Sequence, residues 1–196
     1  MMIAMGLLAE PGLAATVNVI TNGDFEQGNT GFTSAYDYLP GGQIGPAASY
    51  GITSNPSHIH NGAYSYSDHT PGGTLMLAYN GAASPITLWQ QTVAVQPHSD
   101  YTFSFYGSSW YLSPWGNLRL YINGTAIGDS GSFPSSAGTW TQYTYAPWNA
   151  GTNTTATLRL VNIEYASSGN DPAIDDLAFT GPDPAASPEV APVAEI

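Results

Sequence analysis

The chain is expected to be all-β, an antiparallel β-sandwich with a jelly roll as its form. Apolar and polar residues alternate with period two in run after run, and turn residues fill the gaps between the runs. No window carries the spacing of an amphipathic helix. The runs are 74–80 (TLMLAYN), 88–95 (LWQQTVAV), 101–110 (YTFSFYGSSW), 117–123 (NLRLYIN), 139–145 (TWTQYTY), 155–165 (TATLRLVNIEY) and 173–180 (AIDDLAFT). Short strands at this spacing make a sandwich rather than an α/β fold.

In chain order, residues 1–15 (MMIAMGLLAEPGLAA) form an apolar segment ending in small residues, which reads as a secretory signal; a retained apolar first strand is the alternative. The segment is too short and too interrupted to span a membrane. The sandwich domain is expected over 16–181. It opens with a short apolar strand and then NGDFEQGNTGF (22–32), where Asp24 and Glu26 flank Phe25 ahead of a glycine-rich loop. Residues 33–73 break the alternation and read as long loops with one or two edge strands, the part of a sandwich where function usually sits. In 101–110 the inward phase is Tyr101, Phe103 and Phe105, leaving Ser104, Tyr106 and Trp110 for the other side. In 117–123 the leucines and Ile122 go inward and Arg119 and Tyr121 outward. Turns are read at 96–100, 123–128 and 149–155, and residues 182–196 read as a Pro/Ala-rich, acidic, extended tail.

Composition limits the partners. The 196 residues include two arginines, no lysine and fourteen acids, for a net charge of −12. Phosphate recognition needs cations that this chain lacks, so nucleic acid is excluded as a partner. The polar surface must be built from Ser, Thr, Asn, Gln, Gly and Tyr, which suits hydrogen bonding to a neutral polyhydroxyl ligand. With no cysteine there is no disulfide framework, thiolate metal site or thiol nucleophile.

Several clusters carry candidate chemistry. One open face with Tyr106, Arg119 and Tyr121, edged by the loop SSWYLSPWG, would let Trp110 and Trp115 stack on a pyranose while the others reach hydroxyls; the alternative is a loop folded over its own aromatics. Trp89 and Trp140 read as core or rim. His58, His60 and His69, with Asp68, have the residue types of a zinc site, although loop histidines more often only hydrogen-bond. GDSGS (128–132) imitates a serine-nucleophile motif but has no matching His context. The carboxylates cluster at the ends of the domain rather than as a pair straddling a glycosidic bond, so no enzyme activity is expected.

NVITNGDFEQGNTGF, WQQTVAVQPHSDYTFSFY and SGNDPAIDDLAFT together resemble the landmarks of secreted jelly-roll domains, galactose-binding-like in fold, of the family 4/9 carbohydrate-binding-module type. The resemblance is closest to domains of bacterial PEP-CTERM exported proteins, although the sorting tail itself is absent. It implies that the first and last strands lie side by side around a structural Ca²⁺. The ligands would be Glu26 and Asp175, with Asp24 or Asp176 and carbonyls of the Gly28–Gly31 loop; calcium takes roughly six to eight oxygens. The function expected is non-catalytic binding of extracellular polysaccharide by a secreted or cell-surface bacterial module. The alternatives are a self-assembling matrix or filament subunit that adds its N-terminal strand to a neighbour's sheet, and a polysaccharide hydrolase.

Overall fold

The computed structural model describes residues 15–111, 116–164 and 170–186. Their strands, in chain order, are β1 (Thr16–Asn18), β2 (Asp37–Tyr38), β3 (Ser49–Thr53), β4 (Met76–Tyr79), β5 (Ile86–Ala94), β6 (Asp100–Ser109), β7 (Leu118–Ile122), β8 (Thr125–Asp129), β9 (Thr141–Thr144), β10 (Trp148–Asn149), β11 (Thr155–Asn162) and β12 (Pro172–Pro182). The larger sheet runs β10-β6-β12-β4-β3-β2, with β1 also on β12 and β9 also on β6; the smaller runs β5-β11-β7-β8. Every pairing is antiparallel except the short β2–β3 contact. First and last strands do lie together, Val17 opposite Gly181. The signal-like segment 1–14 and the tail beyond 186 lie outside the described residues.

Period two explains the core. Tyr101, Phe103 and Phe105 of β6, Leu77 and Tyr79 of β4, and Ile174, Leu177 and Phe179 of β12 meet Leu118, Leu120, Ile122, Leu158 and Leu160 from the smaller sheet, all of them buried. Leu88 and Trp89 are consecutive and both buried because β5 and β11 slip register beside Leu160. One turn is shorter than its composition suggests. Only Asn123 and Gly124 turn, both with left-handed φ (50° and 82°), which is the two-residue hairpin preference. Thr125 already belongs to β8, a strand that the Gly-rich 123–128 stretch concealed.

A second, smaller core sits on the outside of the larger sheet. Met76, Ala78 and Ala173 point away from the main core and are covered by Ile44, Ile59 and Trp110, with Leu39, Tyr66, Tyr111 and Trp140 packed at the margin. Within 33–73, β2 and β3 extend the larger sheet beyond β4 as the edge strands expected there, and the remaining loops form an extra layer laid over β4 and β12. This overturns the reading of Trp110 as an exposed stacking residue. Its outward strand phase is correct, but the covering layer begins there and leaves it 0% exposed.

Candidate functional site: an aromatic shelf fastened by the terminal acids

The end of the covering layer, residues 66–75, turns back against the open part of the larger sheet. What holds it there is β12. After Asp175 the strand bulges: Asp176 takes a left-handed φ of 48°, and the register against β6 slips between Asp175 and Ala178. Aspartate tolerates that conformation better than most residues. The extra residue allows neighbouring carboxylates to serve the same loop.

The Asp175 carboxylate is fully buried opposite Tyr106 and accepts hydrogen bonds from the backbone N–H of His69 (2.8 Å), Thr70 (3.2 Å) and Asp176 (2.8 Å). Burial pushes its pKa up to about 7, against the opposing pull of those N–H donors. Asp176 accepts from Thr70 Oγ1 at 2.8 Å and pairs with His69 Nδ1 at 2.6 Å. Held by both, the His69 ring stacks on Tyr106, centroids 3.5 Å apart and planes 17° apart. Trp140 meets His69 edge-on at 5.9 Å and Tyr66 at 6.0 Å, and its indole N–H donates to the Ser67 carbonyl at 3.1 Å. Gly138 turns beneath Tyr66 with φ 73°, where a Cβ would lie 2.9 Å from the Tyr66 side chain. At the far end of the loop, Glu26 accepts from the N–H of Thr74 and of Leu75, both at 2.7 Å. Burial, then the charges of Glu26 and Asp176, raise the Asp68 carboxyl above its ordinary range.

The result is a shelf of half-buried Tyr106, His69 and Trp140 beside Ser104 and the exposed Gln142 and Thr144, all on one side of the sheet. Beyond Asp176 the surface dips into an open hollow of about 360 Å³ lined by Asn18, Asn22, Asp24 and Gln27. The aromatic faces of the shelf can stack on a polyhydroxyl ligand, and the neighbouring amides and hydroxyls can hydrogen-bond to it.

The structure places the expected residues as follows. The carboxylates from the two ends of the domain do converge, but on the 68–75 loop. Both oxygens of Glu26 face Thr74 and Leu75, and those of Asp175 face N–H donors. Asp24 accepts from the Glu26 N–H. The carbonyls of Gly28 and Thr30 accept from the Asn22 amide, and that of Gly31 from Gln91. Among the described residues no three His, Asp or Glu are grouped to hold a metal ion. The histidines are also apart in their bonding: His60 pairs with Tyr111, His58 faces Ser54, and His69 joins Asp176.

The expected sugar face divides. Tyr106 belongs to the shelf, whereas Arg119 and Tyr121 lie on the outside of the smaller sheet, because the chain changes sheets between β6 and β7. Trp115 lies outside the described residues. Sequence reading missed the shelf roles of Trp140 and His69. A signal for Trp140 was present: buried Tyr145 and half-buried Tyr143 set the inward phase of β9 and put Gln142 on the other side, with Trp140 just ahead of the strand.

No protein-family model matches the chain, and no curated protein matches it in sequence. Solved structures do share its fold. A Stig cyclase from Fischerella sp. TAU superposes with TM-score 0.60 at 17% identity, covering 85% of this chain and 98% of its own. TmCBM61, solved with β-1,4-galactotriose, gives TM-score 0.54 at 15% identity over 83% of this chain and 97% of its own. The arabinose-bound MgGH51 α-L-arabinofuranosidase gives 0.55 at 11% identity over 84% of this chain, which spans 26% of that enzyme. These likenesses establish the jelly-roll sandwich, a fold shared by binding modules and enzymes.

Proposed function

We propose that this chain is a secreted, non-catalytic module that binds a neutral extracellular polysaccharide on the outer face of its larger sheet. The observation that carries this reading is the preformed shelf. His69 is locked onto Tyr106 by Asp176 and by the backbone bonds to Asp175, so the aromatic surface is ordered before any ligand arrives. Pre-ordering reduces the entropy lost on binding. Aromatic faces suit the C–H side of a pyranose, and Ser104, Gln142 and Thr144 offer uncharged partners to its hydroxyls. The shared fold with a module solved with galactotriose supports the class of ligand. The signal-like residues 1–15 support export. The alternative, self-assembly by N-terminal strand addition, would use the apolar segment 1–15, of which residues 1–14 lie outside the described residues.

Affinity electrophoresis of the wild type and Trp140→Ala through a panel of neutral polysaccharides tests the proposal. Retardation by at least one polymer, lost in the variant, is the expected result. Equal retardation of both proteins would move the site elsewhere.

A further inference from the structure

The outside of the smaller sheet has a composition unlike the rest of the molecule. Both arginines of this acidic chain stand on it, Arg119 on β7 and Arg159 on the adjoining β11. Arg119 is neutralised by a bidentate pair with Asp129, 2.6 and 2.8 Å. Arg159 has no carboxylate partner among the described residues; its guanidinium lies over the Tyr121 ring, 4.6 Å from the centroid. Stacking holds the guanidinium plane while leaving its N–H edge free for a planar anion. Register puts Gln90, Arg159 and Tyr121 in one row across the sheet, and Thr92 and Thr157, hydroxyls 2.9 Å apart, in the next. At the β5 edge of these rows is a hollow of about 340 Å³ lined by Phe32, Thr33, Gln90 and Thr92, at the small end of ligand sites.

We propose that this face is a second binding site, for the carboxylate of a uronic acid residue in a polysaccharide. The carboxylate takes the Arg159 fork, while Gln90 and Thr92 serve ring hydroxyls. Charge complementarity selects an anion here. The acids that fasten the shelf belong to the larger sheet, on the other side of the core from Arg159. A single unpaired guanidinium fits one carboxylate rather than a dense polyanion. The site is independent of the shelf.

Calorimetric titration of the whole chain with a galacturonic acid trimer and, separately, with neutral β-1,4-galactotriose tests this, using the wild type, Arg159→Gln, Arg159→Lys and Trp140→Ala. The uronate should bind the wild type and Trp140→Ala alike, weaken about tenfold or more in Arg159→Gln, recover only partly in Arg159→Lys, and weaken with added salt. Neutral-sugar binding should ignore both Arg159 variants, so failure of the shelf and failure of this site read out separately. Absence of uronate binding by the wild type, or uronate binding unchanged in Arg159→Gln with its melting temperature retained, overturns the proposal. So does a concentration-dependent dimer that Arg159→Gln dissolves while the uronate has no effect, since the face would then be a contact between copies.

Discussion

Asp175 has no exposed surface, and burial pushes its pKa up to about 7. Between its ordinary value near 4 and that raised value the native state holds a proton that the unfolded chain has released. Stability from this group is therefore fully present at acid pH and is lost as pH rises through about 7. Asp175→Asn keeps an acceptor oxygen for the loop N–H groups without the charge. Its melting temperature relative to wild type should rise between pH 5 and pH 8, and parallel curves would contradict the burial argument. Glu26 is a solvent-facing tether, so Glu26→Ala should cost about 1 kcal/mol. Because the loop carbonyls and carboxylates already have protein donors, that cost should be the same in EDTA and in millimolar calcium; a calcium-dependent midpoint lost in the variant would show that the acids do share an ion. The paired acidic stretches were legible in the sequence as one locality. What they hold was not, because the 68–75 loop lies about a hundred residues before Asp175 and nothing in local spacing reports that contact.

At the level of elements, the alternation in β4, β5, β6, β7, β9, β11 and β12 was readable because inward residues recur at period two along most of each run, the register slips notwithstanding. β8 was hidden by the glycines around it, and the covering layer by the irregular composition of residues 33–73. That layer decides the fate of Trp110. Trp110→Ala should cost about 3–5 kcal/mol, as for other large aromatic deletions from a core, and Trp110→Phe should fold with unchanged sugar affinity. Loss of binding in Trp110→Phe at unchanged stability would return that residue to the ligand surface. Gly138→Ala acts at the same level: its Cβ would press on Tyr66, and through Tyr66 on Trp140. It should weaken polysaccharide retardation more than it lowers the melting temperature.

Across the whole molecule, the two sheets present different chemistry on opposite outsides. The larger carries the acid-fastened shelf and the smaller carries both arginines. Strand phase alone assigned each residue correctly to an outward position and still merged Tyr106 with Arg119 and Tyr121, because phase does not say which sheet a strand joins. Topology supplied that distinction. The measurement that tests the central claim most directly is amide and indole NMR of the chain titrated with the neutral oligosaccharide of whichever polymer retards it. Shifts should concentrate on the Trp140 indole N–H, His69, Thr70, Tyr106 and Gln142, with little change at Arg119, Tyr121 or Arg159. Shifts centred on the smaller sheet, or none at millimolar sugar, would contradict the shelf as the binding site.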